Sequence, residues 1–318
     1  TKQATYVSGS GSTTLVFGYT TVAGDTTADL AYASTSALAL NAGTIKDAAG
    51  NNATLTLPAV TAGTAGNLAT NAALVVDALA PNAPGAPTIT VVGGTVVSAY
   101  ANSTNTNLTA TVAGLTAGDV TGGKAELFWT PTGGSATLVA ADVSISLTDT
   151  TASFDLGAAT ASALQAMIAG GSDGKGTFAV RLTDVSGNVS SLGTASAALT
   201  VDYVKPTATI STTATGALKS GQTATVNFVT SEATTTFATG DASANLGTLG
   251  AISGSSSTAY TATFTPNADG VWSVSVAAGV FTDAAGNPNT AASATATPRE
   301  RTVTSGLRTR FSIRSSCA

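Results

Sequence analysis

Apolar and polar residues alternate along this chain in short runs, as in Asn107-Leu108-Thr109-Ala110-Thr111-Val112 and Val271-Trp272-Ser273-Val274-Ser275-Val276. A period of two puts every second side chain on one face, so each run predicts a β-strand with one dry and one wet face. Trp272 shares its face with Val274 and Val276 and is expected in a core. In Leu127-Phe128-Trp129-Thr130-Pro131 the two aromatics are neighbours, so one faces inward and the other outward, with Trp129 the expected core residue. The one helical candidate is Thr160–Ala169, around Leu164, Met167 and Ile168, and Gly170-Gly171 ends it.

The turns between strands carry a recurring phrase: Asp47-Ala48-Ala49-Gly50-Asn51, Asp184-Val185-Ser186-Gly187-Asn188 and Asp283-Ala284-Ala285-Gly286-Asn287. Each supplies an Asp to hold the backbone ahead, then Gly and Asn, which tolerate positive φ. The three stand 137 and 99 residues apart, a spacing of whole domains and not of a solenoid repeat. A second phrase, Val76-Asp77-Ala78-Leu79-Ala80-Pro81 and Val201-Asp202-Tyr203-Val204-Lys205-Pro206, closes an apolar strand with Asp and sets Pro four positions later. The missing Pro amide ends sheet pairing, and the residue before Pro is pushed to extended geometry, so these read as short, stiff joints. The chain is therefore expected to be all-β, with tandem antiparallel β-sandwich domains meeting near residues 78 and 204.

Composition agrees with that pattern. Charged residues are 9% of the chain, aromatics 5%, and hydrophobic residues 43%, which is too apolar for a disordered chain despite the abundance of Gly, Ala, Thr and Ser. Five of the six Arg lie after Pro298; with Glu300 they give that tail a net charge of +4 and leave the rest at −9 against a total of −5. An acidic body with no basic stripe excludes nucleic acid as an expected partner. Cys317 is the single cysteine, so no internal disulfide forms, and it reads as an incidental thiol. No run approaches the length of a membrane-spanning segment, so direct membrane insertion is not expected.

The stretch Ala4–Phe17, followed by Val22-Ala23-Gly24-Asp25 and Ile45–Asn51, resembles the repeat of the cyanobacterial swimming-motility surface protein family. Phe228–Ala233, Tyr260–Pro266 and Ala277–Asp283 are similar to bacterial Ig-like tandem repeats of giant surface proteins and adhesins, and the middle unit matches more loosely through Val180–Asp184 and Val201-Asp202. The resemblance implies Ig-like sandwiches over 79–204 and 205–297 and a partial repeat over 1–78 that starts midway. Residues 298–318 match nothing upstream and read either as a basic, disordered tail or as a frame error. By the same resemblance the chain is expected to be a stalk or spacer segment of a large secreted or outer-surface bacterial adhesin. It would be monomeric within a longer chain, facing a host or matrix glycan or protein surface.

Calcium is the sharpest chemical expectation. Ca²⁺ seeks oxygen ligands, and a joint Asp beside an Asp-x-x-Gly-Asn corner offers several. The candidate ligands are Asp47 and Asn51 with Asp77, Asp184 and Asn188 with Asp202, and Asp283 with Asn287 at the third corner. The same residues also suffice as turn chemistry with no metal. Catalysis has little to build on: the absence of His removes Ser-His-Asp and Cys-His arrangements and the usual zinc sites. Acid pairs such as Asp119 with Glu126, or Asp142 with Asp149, are the only hydrolase candidates, and in β modules such acids are mostly solvated, so no enzyme is expected. A glycan- or protein-binding module is the alternative reading, and a surface polysaccharide hydrolase the second. Thr-rich stretches such as Thr234-Thr235-Thr236 are too irregular for a flat ice-matching array.

Overall fold

The computed structural model describes residues 2–61, 63–116, 122–144, 150–157, 174–214, 218–219, 221–254 and 257–295, with the side chains of 141–144 and 257 left out. The fold is all-β, built mainly of antiparallel sheets, the larger of which pair as sandwiches. The helical candidate Thr160–Ala169 and the tail 298–318, with Cys317, lie outside the described residues. The chain divides into two compact units, residues 1–90 with 107–199, and residues 91–106 with 200–318.

The first unit contains two regions of different character. In its N-terminal stretch, β1 (Thr5–Ser8) pairs with β2 (Val16–Gly18), and β3 (Thr26–Thr27) pairs with β4 (Val76–Asp77). A single turn of helix, α1 (Leu68–Asn71), starts on Asn67, whose Oδ1 accepts from the amides of Ala69 and Thr70. The sequence pattern did not predict it, because four residues are too few to show a period. Between residues 2 and 80 the only buried described residues are Asp25 and Asn67, both polar. Asp25 accepts from the Tyr19 hydroxyl, from Val22 N and from Lys2 Nζ, and these bonds, the Tyr19 one foremost, hold its carboxyl down to about 2. Tyr6, Val7, Val16 and Phe17 meanwhile stand exposed on β1 and β2.

Beyond Pro81 the same unit forms a true sandwich. One sheet runs β10 (Thr151–Asp155), β7 (Asn107–Ala113), β5 (Thr88–Val92); facing it are β11 (Lys175–Thr183), β8 (Lys124–Pro131) and β9 (Thr137–Ser144). Alternation along β7 buries Leu108, Ala110 and Val112, and along β8 it buries Ala125, Leu127 and Trp129. Trp129 packs on Phe178 with ring centroids 4.8 Å apart, and Gly176 leaves it room, since a Cβ there would sit 2.3 Å from the indole. Phe128 turns outward, where the Arg181 guanidinium lies over its ring at 4.7 Å.

In the second unit β6 (Tyr100–Asn102) lies parallel to β12 (Leu199–Asp202), with Tyr100 opposite Thr200. The sandwich that follows pairs a sheet of β13 (Ala208–Thr212), β14 (Ala224–Thr234), β17 (Ser257–Pro266) and β16 (Gly247–Leu249) with one of β15 (Ala242–Ala244), β18 (Ser273–Val276) and β19 (Ala292–Thr295). Its core is aromatic: Phe264 stacks on Trp272 at 4.2 Å, and Phe237 sits edge-on to Phe228, Tyr260 and Phe281. Trp272, Val274 and Val276 are buried together, as their shared face predicted.

Candidate metal site at the Asp202 joint

All three Asp-x-x-Gly-Asn corners fold alike. The Asp amide donates to the Asn carbonyl, at 3.0, 3.0 and 3.2 Å for Asp47, Asp184 and Asp283. Asp Oδ1 accepts the Asn main-chain amide at 2.8–2.9 Å, and Asp Oδ2 accepts the Asn side-chain Nδ2 at 2.9 Å in every case. The intervening Gly50, Gly187 and Gly286 adopt φ of +88°, +89° and +91°, a region that an L side chain enters only under strain. The corner is thus a local clip written in five residues.

What the clips hold differs. Asn188 Nδ2 also donates to the Asp77 carbonyl at 3.1 Å, and Ser186 Oγ donates to Asp77 Oδ2 at 2.9 Å. Asn287 Nδ2 likewise donates to the Asp202 carbonyl at 3.0 Å. Each joint Asp therefore meets the corner that follows it in the chain, where the sequence-based sets paired it with the corner before. The joint Asp residues match each other too, since Asp77 Oδ1 accepts from Leu79 N and Asp202 Oδ1 from Val204 N. At the first corner the hydrogen bonds of Asp47 and Asn51 stay within the clip and its hairpin, and both side chains are exposed. Those bonds, Asn51 Nδ2 first, draw the Asp47 carboxyl below its ordinary value.

At the third corner the structure adds an acid that the sequence sets missed. Asp202, Glu232 and Asp283 each offer a carboxylate oxygen, and these oxygens lie within 4.8 Å of one another. Glu232 comes from the end of β14, which runs past its register shift after Val229. Its Oε1 is buried with no hydrogen-bond partner. Burial, then repulsion from Asp202 and Asp283, raises the Glu232 carboxyl above its usual range, and burial followed by Asp283 does the same for Asp202 against the pull of the Val204 amide. Three acids facing one another with an orphaned buried oxygen form a donor set of the type a hard cation takes. Asn287 by contrast uses Nδ2 on Asp283 and Asp202 and Oδ1 on the Ser103 amide. Glu232 could have been flagged as one of only three Glu in the chain, but its nearest candidate partners are 30 and 51 residues away in sequence, and only the sheet pairing brings them together.

The hydrolase candidates fare differently. Glu126 is paired with Arg181, whose Nε and Nη2 reach Oε2 at 2.9 and 2.7 Å. Asp119, Asp149 and the side chain of Asp142 lie outside the described residues.

The profile of a bacterial Ig-like domain matches residues 202–299, which is the second sandwich with its joint Asp. Among solved structures, a chain described under "host cell surface retention of a 1.5-MDa bacterial ice-binding adhesin" is 19% identical, with a TM-score of 0.29 over 68% of this chain. The alignment spans 65% of that adhesin chain. No curated protein matches. Among the described residues no helix is long and apolar enough to cross a membrane.

Proposed function

We propose that this chain is a stalk or spacer segment of a large bacterial cell-surface or secreted adhesin, made of modules over 1–78, 79–204 and 205–297 with a basic tail. The observation that carries the reading is the repeated strap: a corner Asn side chain tied to the carbonyl of a joint Asp, once at Asp77 and again at Asp202. A device used twice to bind a linker to a sandwich suits a mechanical role. The bacterial Ig-like match over 202–299 supports the same reading. The role is mechanical and non-enzymatic, the location extracellular, and adhesion to a glycan or protein surface belongs to this or another part of the parent polypeptide.

In this reading a calcium ion stiffens the Asp202 joint, held by the carboxylates of Asp202, Glu232 and Asp283. Calcium takes roughly six to eight oxygens, so main-chain carbonyls or water complete the set. The ion would relieve the repulsion among the three acids, and binding to the folded state alone raises stability by mass action. Scanning calorimetry of the full chain tests this: millimolar calcium should raise the transition of residues 202–295 relative to chelator, and Glu232→Gln should abolish the rise. Identical melts in calcium and chelator would remove the ion from the proposal and leave the strap. Specific capture of one glycan class on an array by the intact chain would favour the binding-module alternative over the spacer.

A further inference from the structure

The Asp202 joint contains a second fastening that uses no carboxylate. Residues 93–106 fold tightly around two asparagines, Asn102 and Asn105, both buried. Asn102 Nδ2 donates to the carbonyls of Thr95 and Ala285, both at 2.7 Å, and its Oδ1 accepts from Thr104 N and Oγ1. Asn105 Oδ1 accepts the Asn102 amide at 2.7 Å, and its Nδ2 donates to the Gly93 carbonyl at 2.8 Å. Across the joint, the Ser103 amide donates to Asn287 Oδ1 at 2.7 Å, while Asn287 Nδ2 holds the Asp202 carbonyl. Side-chain amides thus carry all three bonds that tie the corner at 283–287 to the loop and to the closing strand.

Packing follows the same line. A Cβ on Gly286 would stand 3.0–3.1 Å from Val97 Cγ2, Asn102 Nδ2 and Thr95 Cγ2, whereas a Cβ on Gly50 or Gly187 would meet nothing within 4 Å. Gly286 therefore stands in tight surroundings, where a Cβ would press on three side chains, as well as at a φ that favours glycine. The hydrogen bonds of these side-chain amides across the joint join neutral groups, so none of them requires a bound cation. Buried and paired, these amide groups are costly to separate, since opening leaves them without partners.

We infer that loop 93–106 and the 283–287 corner form a hydrogen-bonded lock that closes the Asp202 joint without any cation. Its mechanical meaning rests on the stalk reading: calcium then stiffens a joint that is already shut. Hydrogen exchange of the full chain in chelator, read by mass spectrometry and NMR, tests the lock. The Ser103 amide should exchange at least tenfold more slowly than in Asn287→Ala, and the Asp202→Asn/Glu232→Gln pair should leave that protection in place. Gly286→Ala should also expose Ser103 and Thr104, while Gly187→Ala, strained by the same φ, should not; amides of Val226 and Phe228 in β14 report that each variant is folded. Ser103 exchanging at the rate of an open loop in chelator, or becoming protected only when calcium is added, overturns the lock. Loss of the calcium response in calorimetry with Ser103 still protected would sink the ion alone.

Discussion

The pentapeptide Asp-Ala-Ala-Gly-Asn occurs at 47–51 and again at 283–287, with the same main-chain bonds and the same carboxylate-to-Asn clip. At the first position both clip side chains are exposed; at the second, Asp283 is 7% and Asn287 0% exposed. The contrast separates what the five residues do by themselves from what they do for their neighbours. By themselves they turn the chain. Covered by loop 93–106, the closing strand and Glu232, the same atoms also bind the Asp202 carbonyl and the Ser103 amide and become a fastening. The surrounding regions differ in the same sense, since residues 2–80 bury no apolar side chain among those described, while residues 224–281 enclose a continuous aromatic core.

Substitutions that remove the clip sharpen this comparison most. Asp283→Ala leaves the buried Asn287 amide without its acceptor and Nδ2 with the Asp202 carbonyl alone, and should destabilise the second unit by about 3 kcal/mol, at the upper end for a lost buried acceptor. Asp47→Ala leaves water to replace the carboxylate and should change stability little. Urea unfolding followed by exchange of peptides from 224–281 and from 45–53 measures both, and equal losses at the two corners would break the comparison.

A smaller effect distinguishes the glycines. Gly50→Ala and Gly286→Ala both force Ala to φ near +90°, at about 1 kcal/mol each, but only Gly286→Ala also pushes against Val97, Asn102 and Thr95. That added crowding should cost about 1 kcal/mol more. Comparable urea midpoints for the two variants would mean the joint yields freely at Gly286.

The smallest expected effect is in pH, and its sign differs between the corners. Asp202 and Glu232 have raised folded values, so without calcium the folded second unit holds protons more tightly than the unfolded chain. Its stability should therefore rise as pH falls from neutral through those raised values toward the ordinary carboxylate range, and should be lowest where both acids are ionised. Asp47 has a lowered folded value, so what it contributes is complete above the ordinary carboxylate range and is lost as pH falls through that depressed value. Titration of urea midpoints in chelator tests this, with Glu232→Gln expected to flatten the rise; a second-unit midpoint that falls steadily from pH of about 7 to about 5 would contradict it.

Much of this architecture was legible from the residues alone. Period-two alternation marked β7 and the run ending in β18, and it placed Trp272 with Val274 and Val276 in one core and Trp129 inside with Phe128 out. The corners were legible because a type of turn that needs positive φ leaves only a few residues to choose from, and its clip closes within five positions. Glu232 and Asn102 were not legible. Glu232 reads as one polar residue on an alternating strand, and Asn102 lies in Asn102-Ser103-Thr104, a triplet unremarkable in so Thr-rich a chain.

The sequence by itself determined the local decisions: which runs become strands, where the chain turns, and that each corner Asp binds its own Asn. These depend on contacts a few residues apart, and the periodicity and turn chemistry record them directly. Only the tertiary structure decided which corner is buried, that Asp202, Glu232 and Asp283 share one small space, and that Ala285 and Asn287 meet a loop more than 180 residues earlier. Desolvation and charge repulsion act through space, so two identical pentapeptides acquire different chemistry once the folded chain covers one and leaves the other in water.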